Sequence, residues 1–336
     1  MADENQSFKR YLKKTKITDY QLLQSNSFIL GARTYFRNKT NTAKFLNFLE
    51  EKIPKLEGYF YPGKPVPQIQ PGYYICKPEF SWGGQGVFDL EVTDSLVLSN
   101  KLKITSNSVE SFFKDVNLNT IYLIEERIYD INDTEQKYGV TDYKFHCFQG
   151  MTAPLALIKN RSMNYTIWVN GNMNVVNTGK FNRFPPDHFP SFKDNLIIRT
   201  CDRMNALISK IPFTISGIDT FKYLNINSVI NLDNPIPIEG FKGFNKFEFI
   251  KLREHATALM AKIPLSYCRI DLFNGQNGII VGELTPIPGG AYRFYPEVDR
   301  LLGRHYQEAQ NNFVENFKNE TFGKVVDHFA NEFLFE

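Results

Sequence analysis

Two acidic residues in the last third of the chain, Asp271 and Glu283, have the types and spacing of a metal site. Residues 269–273 alternate polar and apolar side chains, which is typical of a half-buried strand. Turn residues follow at 274–278, and an apolar return strand comes next, so we predict a β-hairpin. The hairpin puts the two carboxylates on one side, where they repel each other unless a cation lies between them. Because the predicted ligands are oxygens, the site favours Mg²⁺ or Mn²⁺ over zinc.

A lysine followed by glycines, further upstream, has the composition of a phosphate site. Residues 73–77 predict a strand that ends in Lys77, and Gly83, Gly84 and Gly86 follow it. Such a run can bring an ammonium and several backbone N–H groups onto phosphate oxygens. It is not a Walker A loop, because the lysine precedes the glycines and no Gly-Lys-Ser/Thr occurs. Taken alone, the run is explained as well by a hairpin turn with a surface lysine.

A strand with a charged end, at residues 121–127, predicts a hinge between two lobes. Four apolar residues lead into Glu125, Glu126 and Arg127. This arrangement suits a junction where backbone groups contact an adenine and a carboxylate holds ribose hydroxyls.

Another predicted strand, at residues 142–148, carries a second lysine. Its alternation places Asp142, Lys144 and His146 on one face. Considered alone, Lys144 is easily a solvated residue, and His146 either helps to bind phosphate or is a core residue. Together, however, the four segments indicate a site for a magnesium–nucleotide complex.

In this order, the four segments resemble the ATP-grasp superfamily. The runs Asp142-Tyr-Lys-Phe-His-Cys-Phe-Gln-Gly150 and Gly282-Glu-Leu-Thr-Pro286 are closer still to its TupA-like branch, which is named for teichuronopeptide biosynthesis. The resemblance covers roughly residues 73–165 and 250–305, and it leaves the N-terminal part unmatched. It implies an α/β (α+β) ATP-grasp fold, in which two α+β lobes grip ATP, with a short N-terminal helical lead-in and a helical C-terminus.

The resemblance implies three parts along the chain of 336 residues. We predict a lead-in at 1–72, a lid subdomain at 73–130, and a catalytic subdomain at 131–336 with an unmatched insert at about 170–245. Apolar spacing predicts helices from Val109 to Val116 and from Lys246 to Ile263.

The resemblance assigns the nucleotide to one set of residues. Lys77 and Lys144 would hold the ATP phosphates, under a lid formed by Gly83, Gly84 and Gly86. Adenine would meet Glu125 and the backbone of Arg127. The candidates for holding the ribose are Glu126 and Asp130.

The resemblance assigns the metal and the chemistry to the hairpin. Asp271 and Glu283 would ligate Mg²⁺, with Thr285 nearby, at a position where most ATP-grasp enzymes have an asparagine. Arg269, on the same strand face as Asp271, would stabilise the oxyanion of a tetrahedral intermediate. Arg293 would bind an anionic acceptor, because a guanidinium pairs with a carboxylate or phosphate through two hydrogen bonds. The catalytic set is then Arg269, Lys144 and Arg293.

The activity implied by the resemblance is ATP-dependent ligation of a carboxylate to an amine through an acyl phosphate. The substrate would be a sugar acid or a peptide-like component of a surface polysaccharide. This chemistry needs positioning and charge, and no nucleophilic side chain. A kinase acting on a hydroxyl group is the alternative, and a nucleotide-binding scaffold without catalysis is a third interpretation. Arg269 favours the ligase, and the intact set of lysines and carboxylates argues against the scaffold.

Composition and charge narrow the partners and the compartment. The net charge of +3 is too small to indicate nucleic acid binding, and no apolar run reaches membrane-spanning length. The first residues lack the apolar core of a signal peptide. The four cysteines have no paired spacing, which favours reduced thiols and a cytoplasmic protein. We therefore expect ATP and Mg²⁺ (or Mn²⁺) as cofactors, and small carboxylate and amine substrates, or a polysaccharide precursor, as partners.

Overall fold

The computed structural model describes ten stretches of the chain. They are residues 35–36, 38–80, 86–116, 118–131, 140–160, 165–177, 236–237, 245–286, 296–318 and 322–325. Three predicted site residues, Gly83, Gly84 and Arg293, lie outside the described residues, as does most of the predicted insert.

The longer helices follow the predicted pattern. They are α1 (Lys39–Phe48), α2 (Val109–Val116), α3 (Lys246–Lys262) and α4 (Pro296–Lys318). The predictions of α2 and α3 are confirmed, and α3 ends one residue earlier than predicted. Ile263 is already extended, with φ −87° and ψ 125°, because the ring of the following Pro264 disfavours helical geometry in the residue before it.

Six strands form a first antiparallel sheet. They are β1 (Leu56–Phe60), β2 (Gly72–Pro78), β3 (Phe88–Val92), β4 (Val97–Ser99), β5 (Ile104–Ser106) and β6 (Tyr122–Glu126). Their order across the sheet is β1-β6-β2-β3-β4-β5. One face packs against α2, where the rings of Phe60 and Phe113 stack with centroids 4.6 Å apart.

Seven strands form a second antiparallel sheet. They are β7 (Asp142–Phe148), β8 (Met151–Asn160), β9 (Tyr165–Asn170), β10 (Asn174–Asn177), β11 (Ile236–Pro237), β12 (Tyr267–Gly275) and β13 (Gly278–Thr285). Their order is β11-β10-β9-β8-β7-β12-β13, so β7 and β12 are neighbours near one edge. The predicted hairpin is confirmed as β12–β13. Two antiparallel sheets with few helices confirm the predicted α+β class.

The two faces of the second sheet differ. One face forms a buried core with α3, whose helical spacing brings Phe249, Leu252 and Leu259 against the strands. The other face is covered by α4 only at one end, where Tyr306 packs on Tyr267. The rest of this face carries charged side chains from β7, β12 and β13.

The two sheets are tied together by residues 49–55, which we call the linking segment. The backbone N–H of Val281 in β13 donates to the carbonyl of Lys52 at 2.8 Å. Three residues later, the carbonyl of Lys55 accepts from the N–H of Glu126 in β6, also at 2.8 Å. The segment therefore spans from one sheet to the other.

A second connection follows β6 directly. Asp130 forms an isolated β-bridge with Gly275, and the N–H of Ile131 donates to the carbonyl of Asn274 at 3.0 Å. A Cβ on Gly275 would approach Ile128 to 3.1 Å and Ile280 to 2.9 Å, so glycine permits this close contact. The predicted hinge thus runs along the tip of the β12–β13 hairpin.

Two features differ from expectation. The lead-in is not only helical, because β1 pairs with β6 and becomes the edge strand of the first sheet. Its five residues are too short a run for alternation to stand out. The cysteines, isolated in the sequence, include one spatial pair, since Cys147 lies directly opposite Cys268 in the β7–β12 register. Both are free and buried. The domain limits at residues 72 and 130 stay a prediction.

Among the helices that the structure describes, none combines the length and the apolar character that a membrane span requires.

Candidate functional site

A β-bulge at Gly282 brings the two predicted metal ligands together. From the hairpin turn, pairing proceeds regularly up to Leu272 opposite Val281. The next pair is Asp271 with Glu283, so Gly282 is the extra residue on β13. If the pairing continued without a bulge, Glu283 would lie opposite Ile270 and its side chain would point to the other face of the sheet. The shared face predicted for the two carboxylates is confirmed, whereas their role as ligands stays a prediction.

Gly282 leaves room for a neighbouring aromatic ring. A Cβ at this position would lie 2.2 Å from the ring of Phe273, which covers the bulge. A larger residue would displace either the ring or the strand, and the alignment of Glu283 with Asp271 would change with it.

Asp271 is the centre of a buried network of charges. Its side chain is 2% exposed, and Arg269 binds it through both carboxylate oxygens, with Nε to Oδ1 at 2.7 Å and Nη2 to Oδ2 at 2.8 Å. Lys144, directly opposite on β7, also donates to Oδ2. Lys144 in turn lies 2.8 Å from Asp142 Oδ2. Four predicted strand residues therefore form one network.

The pKa shifts follow from this network. Burial opposes ionisation of Asp271, but Arg269 and Lys144 outweigh it and hold the pKa of that carboxyl below its usual value. Burial likewise disfavours the ammonium of Lys144, yet Asp142 and Asp271 raise its pKa. The ion pairs thus remain charged in a site that water hardly reaches.

The donor set fits Mg²⁺. Nη2 of Arg269 lies 2.8 Å from Asp271 Oδ2, 3.0 Å from Thr285 Oγ1 and 3.8 Å from Glu283 Oε2. A cationic nitrogen therefore stands among all three predicted ligands, which shows that their oxygens converge on one point. Hard oxygen ligands are those that Mg²⁺ prefers. Within the described ranges no group of three or more His, Cys, Asp or Glu side chains is arranged to hold a metal ion, so phosphate oxygens and water would have to complete the coordination.

Beside this network lies a cleft between the two sheets, which we call the intersheet cleft. It spans about 590 Å³ when the open solvent at its mouth is included. Its charged lining consists of Lys39, Lys77, Glu125 and Glu283. Its apolar walls include Phe36, Leu46, Ile53, Pro54, Leu123 and Val281.

The first sheet contributes one ion pair to this cleft. Lys77 on β2 and Glu125 on β6 form a salt bridge, with side chains 20% and 12% exposed. Their positions in the register put both on the sheet face that lines the cleft. The two residues that the sequence assigned to phosphate and adenine are therefore neighbours.

Sequence reasoning missed Lys39, the first residue of α1. Its Nζ donates to the carbonyl of Pro78 at 2.8 Å, which places the lysine at the end of β2. No motif marks it, because it lies in the lead-in, far from Lys77 in sequence. Only the docking of α1 against both sheets brings it into the cleft.

The remaining hinge residues lie elsewhere. The backbone N–H of Arg127 donates to Tyr73 within the first sheet at 2.9 Å, and its guanidinium lies over the ring of Tyr129. Glu126 is exposed, and Asp130 accepts from the N–H of Thr141 at 3.2 Å. None of the three lines the intersheet cleft. Their adenine and ribose roles stay a prediction.

Gly86 is the one predicted lid glycine that the structure describes. It has a φ of +72°, and a Cβ would lie 2.7 Å from Pro78 Cγ. It therefore packs on the end of β2, directly after Lys77. Both the backbone angle and the contact require glycine here.

His146 belongs to the core and not to the charged site. Its Nδ1 lies 2.8 Å from the hydroxyl of Tyr267, and its ring lies against Trp168. Burial, assisted by the charge of Arg269, lowers the pKa of His146 to about 3. A neutral, enclosed imidazole is a poor phosphate ligand, so the core interpretation of this residue is the better one.

Comparison with known proteins supports the resemblance. Residues 241–307 match the family model described as TupA-like ATPgrasp. This segment holds α3 and the whole β12–β13 hairpin, including Asp271 and Glu283. The resemblance predicted from the sequence is thereby confirmed for this part of the chain. A search of curated proteins found no match.

Similar solved structures have low sequence identity. The D-alanine–D-alanine ligase from Bacillus anthracis complexed with ATP has a TM-score of 0.39 and 13% identity, over 92% of this chain and 75% of that one. The corresponding ligase from Helicobacter pylori has a TM-score of 0.37 and 12% identity, over 84% and 61%. A RiPP-associated ATP-grasp ligase from Chryseobacterium gregarium has a TM-score of 0.29 and 8% identity, over 82% and 60%. Similarity of this degree leaves the activity of this chain open.

Proposed function

We propose that this chain, which matches the TupA-like ATP-grasp model over residues 241–307, is an ATP-dependent carboxylate–amine ligase. The observation that carries the proposal is the convergence of Asp271, Glu283 and Thr285 on one cationic nitrogen, beside an apolar cleft lined by lysines. This arrangement suits a metal-bound nucleotide. The cation site would hold the metal, the apolar walls would contact the base, and the lysines would bind the phosphates.

The charges of the site support one placement of the nucleotide. Its phosphates would extend toward Lys77 in the cleft and toward Lys144 on β7, and its base would lie against the apolar walls. Glu125 pairs with Lys77 in the structure, so a phosphate that takes Lys77 would free Glu125 to accept from an adenine amino group. When bound, Mg²⁺ would neutralise phosphate charge and polarise the transferred phosphoryl group.

The chain's own residues have defined tasks in this proposal. Asp271, Glu283 and Thr285 would hold the metal, and Lys144 would hold phosphate oxygens after it leaves Asp271 Oδ2. Arg269 would shift from the carboxylates toward the substrate, where its guanidinium would stabilise the oxyanion of the acyl-transfer step.

The proposed reaction proceeds in two steps. A carboxylate oxygen of the substrate attacks the γ-phosphorus, the bond to the bridging oxygen breaks, and ADP leaves, which gives an acyl phosphate. An amine then attacks the acyl carbon, the C–O bond to phosphate breaks, and phosphate leaves as the nitrogen loses a proton. The products are an amide, ADP and phosphate. No side chain forms a covalent bond, so positioning and charge supply the catalysis.

The substrate class is proposed from the family resemblance. A sugar acid, or a peptide-like component of a surface polysaccharide, would supply the carboxylate, and a small amine would accept the acyl group. The three buried free thiols among the described residues support a reducing compartment such as the cytoplasm.

The proposal is tested by phosphorus NMR of the protein with MgATP, a panel of uronic acids and a panel of amines. We expect ADP and free phosphate only when both an acid and an amine are present. ADP with a new phosphate-ester resonance and no need for an amine would establish the kinase instead. Absence of nucleotide turnover in every mixture, together with binding of MgATP, would favour the scaffold.

A further inference from the structure

The linking segment joins the two walls of the intersheet cleft. At one end, the carbonyl of Lys52 accepts from the N–H of Val281, two residues before Glu283. At the other end, the carbonyl of Lys55 accepts from the N–H of Glu126, the last residue of β6. Because Lys52 and Lys55 are three residues apart, even an extended chain keeps their Cα atoms within about 11 Å of each other.

The part of the segment between these two carbonyls resists shortening. Ile53 and Pro54 both line the cleft, and Pro54 is buried. The proline ring fixes its own φ and disfavours helical geometry in the residue before it, so this stretch favours an extended form. Its length therefore limits how far the two walls can move toward or away from each other.

The carboxylate of Glu51 fastens the segment to α3. His255 Nε2 lies 2.8 Å from Oε2 and Lys262 Nζ lies 3.2 Å from Oε1, so both oxygens have a donor. The side chain of Glu51 is 9% exposed. The hydrogen bond from His255 is the main cause that lowers the pKa of this carboxyl, although burial opposes it. Because α3 packs in the core of the second sheet, the carboxylate holds the segment to that sheet.

We propose that Glu51 is a positioning residue of the proposed nucleotide site, on which this inference rests. By fastening the linking segment to α3, Glu51 holds Glu283 on one wall and Glu125 on the other at the separation that a magnesium nucleotide spans. The metal end of the nucleotide lies at Glu283 and the adenine end at Glu125, so binding of the whole ligand depends on that separation. Adenosine has no phosphates to carry the metal, so it does not reach Glu283 and is less sensitive to the spacing. Within the described part of the chain, Glu51 is not among the residues that line the cleft, so it acts through the segment.

The variant Glu51→Gln keeps the shape of the side chain but removes its charge. An amide has one acceptor oxygen where the carboxylate has two, so only one of the two donors on α3 keeps its bond. His255→Leu removes the main donor from the opposite side. Glu50→Gln is the matched control, because it makes the same substitution at the preceding residue, which is exposed.

The first experiment is titration calorimetry with MgATP and with adenosine. We expect Glu51→Gln and His255→Leu to weaken MgATP binding about 3- to 30-fold, an effect typical of residues that influence a site without touching the ligand. Adenosine affinity should stay within about twofold, because adenosine does not span the two walls. Glu50→Gln should match the wild type for both ligands. The double variant Glu51→Gln/His255→Leu should bind MgATP within about twofold of the weaker single variant, because both substitutions remove the same contact.

The second experiment is hydrogen–deuterium exchange of single amides, followed by NMR without a ligand. In Glu51→Gln, the N–H groups of Val281 and Glu126 should exchange about 3- to 30-fold faster, because the carbonyls that accept from them are held less firmly. The N–H of Gln149 donates to Ser266 at the end of the β7–β12 pair, and its exchange rate should not change. This amide distinguishes a local loosening of the segment from a general loss of stability.

The outcomes separate this inference from the proposed function. Wild-type affinity for MgATP in Glu51→Gln would overturn the role of Glu51 and leave the nucleotide site standing. An equal loss for MgATP and adenosine, or unchanged exchange at Val281 and Glu126, would overturn it too, because Glu51 would then not control the spacing of the walls. If the wild type binds neither ligand, the proposed nucleotide site itself fails, and this inference with it.

Discussion

The charged residues of the two sheets are neutralised in different ways. On the second sheet, Asp271 is enclosed, and both its oxygens are taken by side chains of the same sheet. On the first sheet, Lys77 and Glu125 form a single pair in the wall of the cleft, with side chains 20% and 12% exposed against 2% for Asp271. A helix from outside that sheet adds Lys39 to them.

This difference indicates which charged side chains are held in place before a ligand binds. The second-sheet network is held by three strands around an almost fully buried Asp271, so its charges are preorganised. The network is also sensitive to substitution, because the loss of one charged member leaves the opposite charges buried without compensation. The first-sheet pair can rearrange at little cost, so its residues should affect ligand binding more than folding.

The largest effect is expected from Asp271→Asn. The substitution leaves Arg269 and Lys144 without the anion that they share, and breaking a buried ion pair costs about 3–5 kcal/mol. The free energy of unfolding, measured with urea, should fall by about that amount, and ATP turnover should disappear. A loss below about 1 kcal/mol would show that the network is as adaptable as the first-sheet pair, and the comparison would fail.

Glu283→Gln is the matched substitution on the neighbouring strand. The Glu283 side chain is 44% exposed and reaches Arg269 only at 3.8 Å, so little stability depends on its charge. We expect turnover to be lost as in Asp271→Asn, while the free energy of unfolding changes by less than about 0.5 kcal/mol. Turnover at the wild-type rate in this variant would remove Glu283 from the metal site.

The two lysines test the comparison from the cationic side. Lys144→Met removes the salt bridges that Lys144 makes with Asp142 and with Asp271, so we expect a stability loss of about 3 kcal/mol. Lys77→Met should lose at most about 1 kcal/mol, because Lys39 remains close to Glu125. Both variants should bind MgATP more weakly in calorimetry. Equal stability losses in the two variants would mean that the Lys77–Glu125 pair contributes as much to stability as the ion pairs of Lys144.

Local patterns predicted much of the second sheet. Alternation gave the β7 strand and placed Asp142, Lys144 and His146 on one face, and turn residues gave the β12–β13 hairpin. These features depend on neighbours in the sequence. The bulge that aligns Glu283 with Asp271 lies at Gly282, where the absence of a Cβ leaves room for the Phe273 ring.

The rest depends on contacts between distant segments. Lys39 enters the cleft only because α1 docks between the sheets, and β1 becomes a strand because β6 offers it an edge. The sequence predicts Arg269 as an oxyanion partner, and in the structure its guanidinium donates to Asp271 and Thr285. No spacing rule in a single sequence specifies such choices, because each is a competition among partners that only the fold brings together.

A smaller effect, on the pH dependence of stability, would sharpen the contrast further. His146 is enclosed in the second sheet, and its pKa is lowered to about 3 from the ordinary value of 6.5. Between these values the unfolded chain binds a proton that the folded chain does not, so the free energy of unfolding falls as the pH falls. The slope from this residue approaches about 1.4 kcal/mol per pH unit below its ordinary pKa and vanishes above it. In His146→Gln, which can still hydrogen-bond the hydroxyl of Tyr267, urea denaturation between pH 6.5 and 5 should show a shallower slope than in the wild type. Equal slopes would mean that the folded protein protonates His146 as readily as the unfolded chain does, and that this end of the second sheet is as open to water as the cleft wall of the first.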